Sequence, residues 1–135
     1  GVSMRAPIYH NPDCGTSRNT LAILRHAGIE PTVIESLNTP PDRATLKRLL
    51  HDTGLSPLQA VRKKGTPYFE LGLDDLLITP RQIFDAMIAH PILINRPFVV
   101  TEIGTRLCRP SEVVLQIIPP LRTPFTKEDG EVVFR

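Results

Sequence analysis

The sequence predicts an α/β fold, a mixed sheet flanked by helices in which a helical insertion separates a βαβ half from a ββα half. Three observations predict it. Two short strand-like runs, APIYH at 6–10 and PTVIESL at 31–37, bracket a segment whose apolar residues recur at helical spacing. Helix-start signals then fill the middle of the chain, and PFVVTEIGTRLCR at 97–109 reads as a hairpin followed by one more apolar helical stripe.

Each element has a local reason. The run 6–10 ends at the turn Asn11-Pro12-Asp13, and Leu21, Ile23, Leu24 and Ala27 form the helical stripe that Gly28 closes. The right-handed crossover rule makes the strands on either side of that helix parallel neighbours. Leu46, Leu49 and Leu50 line a helix opening near Asp42. Ser56-Pro57-Leu58-Gln59 and Thr79-Pro80-Arg81-Gln82 each offer a hydroxyl cap, a first-turn proline and a glutamine three residues after the cap. From the second, Ile83, Phe84, Met87 and Ile88 make a core stripe that stops at His90-Pro91, because the residue before a proline is driven out of the helical region. The hairpin runs from Phe98 to Thr101, turns through Glu102–Gly104 and returns to Arg109. A last helix is expected from Pro110-Ser111-Glu112, with Val113, Val114, Ile117 and Ile118 on one face, until Pro119-Pro120 ends it. Residues 119–135 read as a loop-like tail, and 4–135 as one domain. Gly1, Val2 and Ser3 precede Met4 and fall outside the domain expected at 4–135. The order of elements is that of a thioredoxin-like, glutaredoxin-like sheet.

Composition excludes several classes of function. A formal net charge of +2 and a longest basic run of Arg62-Lys63-Lys64, without interleaved aromatics, give nucleic acid no footprint. No apolar run approaches the roughly 18 residues of a membrane span, and the N-terminus shows no secretory pattern. A cytoplasmic location is expected. His10, His26, His51, His90, Cys14 and Cys108 lack metal-ligand spacing, so no metal is expected, and both cysteines are expected as free thiols.

Cys14 carries the chemistry. It sits between a strand and a helix start, where unpaired backbone N–H groups converge and the helix dipole favours an anion. An unperturbed thiol is only about 3% ionised at pH 7, so such a position matters for reactivity. Asn11, Gly15 and Thr16 provide the backbone loop around an anion, and the hydroxyls of Thr16 and Ser17 are candidate donors. A small buried structural cysteine is the bland alternative, but Gly, Ser, Thr and Asn crowd this one instead of apolar side chains. A dithiol redox site wants CxxC, and Ser17 stands at the second position. A phosphatase loop wants an arginine six residues on, where Thr20 stands, and a Cys-His pair with His10 lacks a visible third member. What remains is a lone nucleophilic thiol with arginines arriving from elsewhere: Arg62 near a helix end, Arg96 before Pro97 and Arg109 before Pro110.

IYHNPDCGTSRNTL at 8–21 and HPILINRPFVVTEIGTRLCRPSEVVLQI at 90–117 resemble the bacterial arsenate reductases that couple to glutathione and glutaredoxin. The similarity continues weakly through FTKEDGE at 125–131 and is least close over 63–82. The resemblance implies that Cys14 attacks arsenate, that glutathione is a co-substrate which then adds to arsenic, and that glutaredoxin helps carry As(V) to As(III), with no bound cofactor. It implies that Arg62, Arg96 and Arg109 bind the oxyanion, that His10 and Ser17 tune the thiolate, and that the Arg96-Pro97 bond is cis. Cys108, by strand alternation, points away from Arg109 and is structural. A regulator on the same fold would keep a CxxC switch, and a general glutathione-dependent thiol reductase would need no arginine triad. A monomer is expected, from the lack of a surplus apolar face.

Overall fold

The computed structural model describes residues 5–134, so Gly1, Val2 and Ser3 lie outside the described residues with Met4 and Arg135. Its contacts divide the chain into two compact units, one reaching to Glu35 and resuming at Arg96, the other comprising Ser36–Asn95.

The first unit holds the sheet. Strand β1 (Pro7–His10), helix α1 (Gly15–His26) and strand β2 (Thr32–Glu35) form the βαβ half, and strands β3 (Phe98–Val100) and β4 (Thr105–Leu107) form the hairpin. The strand order is β2-β1-β3-β4. β1 pairs in parallel with β2 and antiparallel with β3, which pairs antiparallel with β4. This is the mixed thioredoxin-like sheet expected from the order of elements. Its core gathers Ile8, Ile23, Leu24, Val99, Cys108, Val114 and Ile117, so α1 and the segment after β4 pack on one sheet face. Gly28 ends α1 at φ 81°, a left-handed conformation that costs glycine no steric clash.

Two expectations in this unit need correction. The segment after β4 is a 3-10 helix, Ser111–Ile117, not an α-helix. Its paired β-branched Val113-Val114 weakens α propensity. Pro119 and Pro120 also lack the N–H groups that would bond carbonyls four residues back. The tail is no plain loop: β5 (Phe125–Thr126) and β6 (Val132–Val133) form an antiparallel hairpin. Strands of two residues are too short for alternation to show in a sequence.

The second unit contains α2 (Arg43–Thr53), α3 (Pro57–Ala60) and α4 (Pro80–Ala89), with a 3-10 turn at Pro91–Leu93. Asp42 caps α2 by accepting from the Thr45 N–H at 2.8 Å. Ser56 and Thr79 both complete the reciprocal capping boxes expected for α3 and α4. Leu46, Leu49, Leu50, Ile83 and Met87 are buried, as their spacing requires.

Candidate active site

The site grows from the loop joining β1 to α1. Strand alternation places Ile8 and His10 on the same face of β1, and both are buried. The chain then turns at Asn11–Asp13, closed by the Cys14 N–H donating to the Asn11 carbonyl at 3.0 Å and the Asp13 N–H donating to Asn11 Oδ1 at 2.9 Å. Cys14 follows as the N-cap of α1 in extended geometry, with Gly15, Thr16 and Ser17 as the first three helical residues. Ser17 Oγ accepts from the Asn11 N–H at 3.1 Å and lies 2.7 Å from His10 Nδ1. The strand end, the turn and the first helical turn are thus fastened together under the sulfur.

Cys14 is 7% exposed. Burial pushes its thiol up, and the Ser17 backbone N–H with the side chains of Arg96 and Arg109 more than offsets this, bringing it from 9.0 down to about 7. The sulfur forms no full capping hydrogen bond. The Ser17 amide nonetheless acts on it, as expected at the positive end of a helix. Arg109 Nη1 lies 3.7 Å from Cys14 Sγ and donates to the Arg96 carbonyl at 2.9 Å. The hairpin therefore delivers two guanidiniums to the thiol, one from each side of its two strands.

The Arg96-Pro97 bond is cis, as expected, and Arg109-Pro110 is cis as well, which was not expected. Cys108 and Arg109 diverge: Cys108 is fully buried in the core and its thiol is pushed up to about 12 by burial, whereas Arg109 reaches Cys14. Burial holds His10 below the ordinary imidazole range, with Glu35 opposing and Arg25 and Arg18 reinforcing the shift. Arg62 belongs to the second unit, where its N–H donates to the Leu93 carbonyl at 2.7 Å and its Nη1 to Asn95 Oδ1 at 3.5 Å. The Thr16 carbonyl accepts the Thr20 hydroxyl at 2.8 Å.

Sequence reasoning missed two features. Ser17 acts on Cys14 through its amide, while its hydroxyl is engaged by Asn11 and His10. Arg18 donates from Nη1 to the Pro12 carbonyl at 2.8 Å, and the only sequence signal for it was its place in the first turn after Cys14. No group of three or more His, Cys, Asp or Glu side chains suited to a metal occurs among the described residues, and no described helix is long and apolar enough to cross a membrane.

The ArsC family model matches residues 9–117. The chain is 61% identical over 131 residues to an arsenate reductase of Rhizobium meliloti, covering 96% of this chain and 94% of that protein. An arsenate reductase of Escherichia coli is 59% identical over 127 residues, which is 93% of this chain and 90% of that one. Among solved structures, an arsenate reductase from Vibrio cholerae matches with a TM-score of 0.80 at 44% identity, over 87% of this chain and 100% of that chain.

Proposed function

The chain belongs to the ArsC family, and from that premise we propose that it reduces arsenate to arsenite through Cys14, with glutathione and glutaredoxin supplying the reducing thiols. The observation that carries the site assignment is the Arg109 guanidinium 3.7 Å from a sulfur whose pKa is lowered to about 7. A thiolate half-formed at neutral pH beside guanidiniums meets both needs of the reaction, a nucleophile and charge compensation for an oxyanion.

In the proposed sequence the Cys14 thiolate attacks arsenic, an S–As bond forms, and one arsenic oxygen leaves as water after protonation. A glutathione thiol displaces a second oxygen in the same way. A glutaredoxin thiolate then attacks the glutathione sulfur; a disulfide forms, the glutathione S–As bond breaks, and its electron pair stays on arsenic, now As(III). Hydrolysis of the remaining S–As bond releases arsenite and restores Cys14. Arg96 and Arg109 hold the oxyanion, and the Asn11–Thr16 backbone lines it. His10 and Ser17 tune the thiolate by fixing the turn. A chain with one reactive thiol must borrow the others, and Ser17 at the position where a dithiol site needs cysteine supports that reading. Residues 4–135 act as one domain, as a monomer in the cytoplasm.

The test is a coupled assay with glutathione, glutathione reductase and glutaredoxin. Arsenate-dependent NADPH oxidation is expected from the parent chain, none from Cys14→Ser, and most of the parent rate from Cys108→Ser. A parent chain inactive with glutaredoxins of several sources would sink the proposal, as would loss of activity in a folded Cys108→Ser variant.

A further inference from the structure

The C-terminal hairpin is fastened to the Cys14 loop by more than packing. Its turn carries Lys127, whose side chain is 8% exposed and paired with Glu112 of the 3-10 helix and, at 3.5 Å, with Glu131. The neighbouring Glu128 donates its backbone N–H to Asn19 Oδ1 of α1 at 3.1 Å. These two attachments fix where the Glu128 carboxylate stands.

That carboxylate meets Arg18 as a fork, Nε donating to Oε1 at 2.8 Å and Nη2 to Oε2 at 3.1 Å. The remaining terminal nitrogen of the same guanidinium, Nη1, donates to the Pro12 carbonyl at 2.8 Å. One planar group thus spans from the hairpin to the middle of the turn that ends at Cys14. A Cβ placed on Gly15 would stand 3.6 Å from Arg18 Nη2 and 3.9 Å from Glu128 Oε2, so the pair lies directly against the residue after Cys14. A bidentate arginine-carboxylate pair has a defined plane, which a lysine or a single hydrogen bond would not impose.

We infer that Glu128 is a positioning residue for Cys14: by orienting Arg18 it fixes the Pro12 carbonyl, and with it the turn that presents the sulfur to the oxyanion. This rests on Cys14 being the nucleophile proposed above. Glu128 chiefly favours the charged form of Arg18, and a Cys14 thiolate adds to this in smaller measure. Removing Glu128 alone would therefore mix two effects, a loosened turn that raises the thiol pKa and an unmasked cation that lowers it. The double variant Arg18→Ala/Glu128→Ala separates them, because it deletes one charge of each sign and leaves mainly the loss of position.

The experiment measures two quantities in the parent chain, Glu128→Gln and the double variant. The first is the pH profile of iodoacetamide alkylation at Cys14, mapped by mass spectrometry, to which the buried Cys108 contributes little. The second is kcat and KM for arsenate in the coupled assay. In the double variant the alkylation midpoint should rise and kcat fall about tenfold, as small misplacements of a reacting group do. The urea midpoint should stay close to the parent's, since exposed ion pairs add little to global stability. Glu128→Gln, which keeps one acceptor for Arg18, should lie between in kcat. A folded double variant with the parent's alkylation midpoint and kcat overturns the inference; if the double variant does not fold, a parental kcat in Glu128→Gln, measured above the alkylation midpoint where the thiol is ionised, does so. A parent chain without arsenate turnover would instead strike at the proposed function, and the alkylation profiles would still decide whether Glu128 positions Cys14.

Discussion

Cys14 is nearly buried, yet its thiol is lowered to about 7, so the local donors outweigh the desolvation that burial imposes. Alkylation rates followed against pH should accordingly show a midpoint near 7. Arg109→Ala removes both the contact to the sulfur and the bond to the Arg96 carbonyl, so it should raise that midpoint and weaken inhibition by sulfate. Arg96→Ala should act in the same direction, because Arg96 lowers the thiol pKa by hydrogen bonding and by charge. Unchanged sulfate inhibition in both variants would remove them from the anion site. At this scale the sequence was informative where chemistry and position coincide: a cysteine at a helix start and arginines before prolines were visible one by one. What it could not show was which atom of Ser17 does the tuning, since hydroxyl and amide belong to one letter of sequence.

The helices with hydroxyl caps were legible because each signal is local. Ser56 and Thr79 each needed only a proline and a glutamine at fixed offsets, and both capping boxes form. Thr79→Ala should cost about 1 kcal/mol of stability in urea titrations, the usual effect of losing a hydroxyl cap. The 3-10 helix Ser111–Ile117 and the β5–β6 hairpin were less legible, for different reasons. Val114 and Ile117 stand three apart, a spacing that α and 3-10 geometry share, so periodicity could not separate them. The hairpin depends on partners far away in sequence, Glu112 for Lys127 and Arg18 for Glu128, and no local pattern encodes those.

For the whole molecule, the lowered thiol links folding to pH. The folded chain favours the Cys14 thiolate more than an unfolded chain does, because the fold lowers its pKa from 9.0 to about 7. This contribution is therefore full above pH 9, shrinks as pH falls through about 7, and is absent below. Its ceiling is about 2.7 kcal/mol. Urea titrations between roughly pH 6 and 9 should show parent stability rising relative to Cys14→Ser, and parallel profiles would contradict the shift. The helical segment 36–95, legible in the sequence as an insertion between the two sheet halves, forms a compact unit of its own. The burial of Cys108 bears on how such a chain ages in the presence of peroxide. With its only other thiol sealed in hydrocarbon and held protonated, the chain has no resolving cysteine of its own to trap a sulfenic acid at Cys14. Repair before irreversible over-oxidation then falls to small thiols diffusing in from outside.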